Sequence, residues 1–225
     1  ADEAAQLLLD TAAESGVDVT AVRREPGLSG TAWVMVQADG DNAIVVAAAA
    51  NDTVTSLRPT DLDTIRSGTV LVAQLEMPLS VVQEAATAGR ESGARFVLNA
   101  APARDLPDEL LDLVDVLVVN EHEVLHFDDD QRARVGAVVV TLGGDGACIV
   151  DADGERPVPG VSADVVDTTG AGDTFTGYLA AALAAGSSLD DACTRAVVAG
   201  ALAVETSGAV GSIPTSAQVG ERLDA

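Results

Sequence analysis

From Val70 onward, short apolar runs alternate with stretches of helical spacing, and this alternation most narrows the folds open to the chain. Val70 to Leu75, Phe96 to Leu98, Val116 to Val119 and Ala137 to Leu142 read as strands. Between them, Ser80 to Gly89, with Pro78 just ahead, and Pro107 to Leu113 read as helices. Strands and helices that take turns in this way predict an α/β fold with a doubly wound, mostly parallel sheet, because parallel neighbours need a crossover and a helix supplies it. Ligands in such sheets sit beyond the carboxyl ends of the strands. The polar residues Glu76, Asn99, Asn120 with Glu123, Thr141 with Gly143, and Asp167 to Asp173 all fall there.

The remaining segments complete one domain over residues 1–225. Asp2 to Ser15 reads as an amphipathic helix with no start signal. Thr31 to Gln37 and Ala43 to Val46 alternate as strands do, joined by the turn sequence Asp39-Gly40-Asp41-Asn42, so a hairpin is expected with one face uncovered. A second hairpin is expected from Cys148 to Asp151, Gly154, and Arg156 to Val158. The last third is helical: Ser188 caps Leu189 to Glu205, Ser207-Gly208 breaks the pattern, and a final helix follows Pro214.

A 225-residue chain with 48% hydrophobic residues can bury a substantial core. Its formal charge of −24, with no Lys, leaves no basic footprint for nucleic acid or an anionic membrane. The absence of Lys also excludes the GxxxxGK[ST] phosphate loop and the protein-kinase lysine. An anion must therefore be held by backbone N–H groups, a few Arg and metal ions. Cys148 and Cys193 form no CxxC and have no His at ligand spacing, so both read as buried thiols in a reducing, cytoplasmic setting. The longest apolar run, Ala43 to Ala50, is too short to span a bilayer.

The chemistry concentrates in the segment Val166 to Tyr178. A strand-like end runs into Gly170-Ala171-Gly172, and Asp173 then opens an Ala-rich helix. Small residues at a helix start leave N–H groups uncovered at the positive end of the dipole, which makes an anion site. A carboxylate placed there suits proton removal from a group that attacks a bound phosphate. The alternative is a tight strand-to-helix turn in which Asp173 is a simple cap. A dinucleotide fingerprint is disfavoured, since Phe175 stands where GxGxxG needs its third glycine. Taken singly, Asn120-Glu121-His122-Glu123 could be an ordinary helix start, Thr141 to Gly146 a tight turn, and Glu76 a solvated loop carboxylate. His122 and His126 read as surface residues.

In order along the chain, Gln74-Leu75-Glu76, Leu98 to Ala103, Asp105 to Leu110, Asn120 to Glu123, Thr141 to Gly146 and Asp167 to Asp173 resemble the ribokinase-like (phosphofructokinase-B type) kinases, and their ribokinase branch in particular. The resemblance implies ATP-dependent phosphorylation of a small sugar, ribose foremost, with another sugar or a nucleoside as the alternative acceptor. It implies Asp173 as general base and sugar contact, and Gly170, Ala171 and Gly172 as anion-hole donors. Glu76 would contact the sugar. Asn120, Thr141, Gly143, Gly144, Asp145, Gly146 and Gly172 would bind the nucleotide, with Asn120 and Glu123 organising Mg²⁺. A monovalent cation, K⁺, would take side-chain oxygens from Asp167 and Ser212 and carbonyls from Thr169, Ala203, Thr206 and Gly208. The hairpin, within residues 31–48, would form part of a β lid that covers the sugar and pairs two subunits, with Trp33 and Met35 as lid or interface residues.

The chain departs from that family at its start, where the sugar-binding Asp, further lid strands and the Gly-Gly-Lys-Gly-Ala-Asn loop are expected and are not found. Two readings follow: an N-terminally incomplete sugar kinase, or a short chain that binds nucleotide, or a partner subunit, without turnover.

Overall fold

The computed structural model describes residues 2–36 and 42–224. The chain opens with α1 (Glu3–Glu14), whose N-cap is Asp2: its carboxylate accepts from the Ala5 N–H at 2.9 Å. The helix thus has the start signal that the sequence reading denied it. The same side chain also accepts from the N–H and hydroxyl of Ser29, so one residue caps the helix and anchors the approach to the first hairpin.

Strands β1 (Thr31–Val36) and β2 (Asn42–Ala47) pair antiparallel, with Trp33 opposite Val45. The expected turn over Asp39, Gly40 and Asp41 lies outside the described residues, as does the side chain of Met35. Short α2 (Ala50–Thr53) and α3 (Pro59–Ser67) lead into the main sheet.

That sheet has six strands in sequence order: β3 (Val70–Ala73), β4 (Arg95–Asn99), β5 (Val116–Asn120), β6 (Ala137–Thr141), β7 (Gly146–Asp151) and β8 (Gly154–Pro159). The first four are parallel and the last two antiparallel. Helix α4 (Leu79–Ser92) crosses from β3 to β4, α5 (Asp108–Leu111) from β4 to β5, and α6 (Asp129–Arg132) lies between β5 and β6. Three helices follow: α7 (Ala171–Ala184), α8 (Leu189–Ala203) and α9 (Ser216–Leu223). Ser188 and Thr215 cap α8 and α9 through their hydroxyls.

The central strands are nearly continuous apolar runs because both faces are covered. Phe96, Leu98, Leu117, Val119 and Val138 pack with Val82 and Ala86 of α4 and with Leu110 and Leu111. Their chain neighbours Val97, Val116, Val118 and Val139 face the other way, against Phe175, Leu179 and Leu183 of α7 and Ala192, Cys193 and Ala196 of α8. The period of two along each strand therefore feeds two cores, one on each side of the sheet.

Two expected strand and helix ends move inward. The strand from Val70 stops at Ala73. Leu75 leaves the ladder and donates its N–H to the Ala101 carbonyl at 3.0 Å. The helix expected over Pro107 to Leu113 is a single turn, Asp108–Leu111. Cys148 is only half-buried, which corrects the reading of two buried thiols. Cys193 is buried, and burial pushes its thiol up to about 12, as befits an inert core residue.

Candidate active site

Helix α7 begins at Gly170, which takes the left-handed φ of +76° and has no side chain to cap the turn. A Cβ at this position would lie 3.2 Å from the backbone of Ala209, so the turn and the 209 loop are seated directly on one another. Ala171 donates its N–H back to the Thr168 carbonyl at 3.2 Å, and this corrects the expectation that Ala171 is a free anion-hole donor. The N–H groups of Gly170, Gly172 and Asp173 have no partner among the described residues. A Cβ on Gly172 would meet no protein atom within 4 Å, so its exposed side opens onto ligand space.

A cleft of about 410 Å³ lies beside this turn, in the size range of small-molecule sites. Thr141, Gly143, Gly144 and Gly146 line it from the β6–β7 turn, and Thr168, Ala171 and Gly172 from the start of α7. Val161, Val165, Phe175, Val197 and Val204 give it an apolar wall suited to a planar base. The β6–β7 turn is tight because the Leu142 N–H donates to the Gly146 carbonyl at 2.8 Å and Gly146 has φ +96°. Asp145 does not line the cleft; its carbonyl accepts from the Gly160 N–H at 3.0 Å. Val161, Val197, Gly200 and Ala201 do line it, yet the sequence reading missed them. The only local signal was the small pair Gly200-Ala201 inside α8.

Asp173 is not a cap. Its Oδ1 accepts from the Gln74 amide Nε2 at 2.6 Å, a contact 99 residues apart in sequence. Glu76, two residues beyond Gln74, lines a different cavity of about 420 Å³ beneath the hairpin, together with Leu8, Leu9, Arg23, Arg24 and Thr31. Asp173 thus joins the two spaces: it follows Gly172 of the cleft in sequence and bonds the residue that leads to Glu76.

At the end of β5, Asn120 and Glu123 lie outside both cavity linings. They bond reciprocally: Asn120 Oδ1 accepts from the His122 and Glu123 N–H groups, and Glu123 Oε2 accepts from the Asn120 N–H. This is the reciprocal pattern of a capping box, as at a helix start, and the helix it opens is a short 3₁₀ turn. Glu123 Oε1 has no hydrogen bond among the described residues, so this hard oxygen suits a hydrated Mg²⁺. His122 and His126 are exposed, as expected.

Asp167 ties its own turn to the 208 loop. Oδ1 accepts from the Thr169 N–H and hydroxyl, and Oδ2 from the Gly208 N–H at 2.9 Å. Nearby, the Thr206 N–H donates to the Ala203 carbonyl, and buried Ser212 donates its hydroxyl to the Ala209 carbonyl. The Thr169 hydroxyl first, then the Gly208 and Thr169 N–H groups, hold the Asp167 carboxyl at about 2, below the ordinary 3.8. A depressed carboxyl stabilises the fold above its unfolded value and stops doing so as pH falls through its folded value. Between pH of about 4 and 2, wild-type protein should therefore lose more stability than Asp167→Asn, read by urea unfolding. Parallel stability curves for the two proteins would contradict this role.

Residues 1–216 match the pfkB family of carbohydrate kinases. The chain belongs to that family. It is 33% identical over 241 residues to a ribokinase of Haemophilus influenzae, covering 99% of this chain and 78% of that one. A bifunctional ribokinase/ribose-5-phosphate isomerase A of Fructilactobacillus sanfranciscensis is 36% identical over 207 residues, covering 83% of this chain; the chain spans only 38% of that longer relative. Among solved structures, Arabidopsis thaliana ribokinase complexed with ribose and ATP superposes with a TM-score of 0.90 at 29% identity, over 100% of this chain and 79% of that one. No helix among the described residues is long and apolar enough to cross a membrane.

Proposed function

We propose that this chain carries the catalytic machinery of an ATP-dependent kinase whose acceptor is D-ribose and whose product is D-ribose 5-phosphate. The observation that carries the reading is the junction at the start of α7: free N–H groups at Gly170 and Gly172, and a carboxylate on the next residue. Ribose as acceptor is supported by the relatives named ribokinase and by the Arabidopsis complex with ribose and ATP.

In this reading ATP lies along the cleft, its base against Val161, Phe175 and Val197 and its phosphates over Thr141 to Gly146 and the Gly170 turn. Asp173 takes the proton of the attacking hydroxyl as the new oxygen–phosphorus bond forms, and the bond from the γ-phosphorus to the bridging oxygen of ADP breaks. The N–H groups of Gly170 and Gly172 meet the charge that spreads over the transferring group. Glu123 and Asn120 would hold Mg²⁺ through its waters, and the ion would supply neutralisation of the phosphate charge when bound. Asp167, Thr169, Ala203, Thr206, Gly208 and Ser212 would offer their oxygens to K⁺, a reading supported by the Asp167–Gly208 hydrogen bond, which joins the 167 and 208 segments. At fixed ionic strength, K⁺ should raise the rate several-fold over Na⁺, and Asp167→Ala should abolish the difference. Equal wild-type rates in potassium, sodium and a large organic cation would contradict the cation site.

Gly172→Ala separates binding from folding. The added methyl meets no protein atom, so thermal stability should be unchanged, yet it enters the space assigned to phosphate. Removal of comparable oxyanion stabilisation costs about 10²-fold in kcat, and a loss of that order is expected here. Unchanged steady-state kinetics would move the phosphates elsewhere. Exposed Trp33 and Val45, directly opposite each other on one face of the hairpin, support dimer formation through the lid, and sedimentation showing only monomer would contradict it. A cytoplasmic setting fits the two free cysteines.

A further inference from the structure

The hydrogen bond between Gln74 and Asp173 has no part in the fold's ladders or caps, and it joins two segments that each have independent anchors. On one side, Leu75 is buried at 2% exposure and its N–H is fixed on the Ala101 carbonyl, so the backbone that carries Gln74 is pinned. On the other, Asp173 sits in the first turn of α7, with Thr174 and Phe175 buried immediately after it. Neither segment depends on the side-chain contact for its position. What the contact does fix is the rotation of a carboxylate that has no other hydrogen bond among the described residues.

We infer that Gln74 is a positioning residue for the base: by donating its amide Nε2 to Oδ1, it fixes the Asp173 carboxylate so that Oδ2 faces the acceptor hydroxyl. An ionised carboxylate only accepts hydrogen bonds, which sets the orientation of the Gln74 amide as well. The chemistry needs this because Asp has two equivalent oxygens on a freely turning bond, and only one can take the proton in line with the γ-phosphorus. Misplacing a reacting group by about 1 Å can cost on the order of 10²-fold. Gln74 also leads directly to Glu76 at the second cavity, so the same short segment aligns the base and approaches the sugar.

This inference rests on the kinase reading, and the test separates the two. In the complete gene product, wild type and Asp173→Asn are assayed first for ribose-dependent ADP release; an inactive wild type defeats the kinase reading and the inference with it. With an active wild type, Gln74→Leu, which keeps the bulk and loses the donor, should lower kcat by about 10-fold or more, while KM for ATP and the melting temperature stay close to wild type. Gln74→Leu should have no further effect in an Asp173→Asn background, because the two residues act as one unit. Gln74→Glu keeps the length and sets carboxylate against carboxylate. The donor is replaced by a group that at neutral pH only accepts, so the kcat of this variant should fall at least as far as that of Gln74→Leu. Activity of Gln74→Leu within two-fold of wild type, additive losses in the double variant, or Gln74→Glu activity within two-fold of wild type would each overturn the positioning role and leave the kinase reading intact.

Discussion

Asp173→Asn is expected to lower kcat by about 10²-fold or more while ADP affinity, measured by calorimetry, stays within a few-fold of wild type. The substitution keeps shape and size but removes the only proton acceptor placed immediately after the Gly170 turn. It also changes the partner of Gln74 from an acceptor-only carboxylate to an amide, which can still accept the same hydrogen bond. Folding should therefore be intact, and the loss should appear in the chemical step. The cleft lining includes Gly172 but not Asp173, which is why nucleotide affinity should survive. Activity within a few-fold of wild type would remove Asp173 from the mechanism.

The second large effect is on stability. Gly146→Ala should destabilise the protein by about 3 kcal/mol or more, because the new Cβ collides with fixed backbone and no rotamer can relieve it. That Cβ would lie 2.2 Å from the Val158 carbonyl oxygen and 2.4 Å from the Gly160 nitrogen, at a φ of +96° that side chains rarely adopt. The strain would fall on the turn that lines the cleft, so nucleotide binding should weaken along with the urea midpoint. A midpoint unchanged from wild type would show that the turn can relax, contrary to the close packing of β7 on β8. Gly172→Ala, with open space around its methyl, provides the contrasting case in the same site.

The parts of the fold that were legible in the sequence are those whose environment writes a local pattern. The Val116 and Ala137 strands show as unbroken apolar runs because each is buried on both faces, and the second hairpin shows through Gly154. The start of α1 is hard to read because Asp2, which caps the Ala5 N–H, looks in sequence like one more acidic residue of the amphipathic run itself. The strand from Val70 was read too long because Leu75 is apolar for a different reason: it is buried outside the ladder. In the site, the Gly170 turn was readable because it is a contiguous run of small residues. The Gln74–Asp173 bond was not, since nothing local to either residue encodes a partner 99 positions away. Equally, the sequence could not reveal that the Ala171 N–H folds back on Thr168, because that depends on the left-handed turn at Gly170.

The most direct measurement is the fate of ³²P label from [γ-³²P]ATP incubated with D-ribose, Mg²⁺ and K⁺ in the presence of the complete gene product. The account predicts stoichiometric appearance of ADP and ribose 5-phosphate, abolished to about 1% or less of the wild-type rate by Asp173→Asn. ADP binding without any phosphate transfer to ribose would contradict ribose as the acceptor, and rapid transfer by Asp173→Asn would contradict the catalytic base on which the whole reading turns.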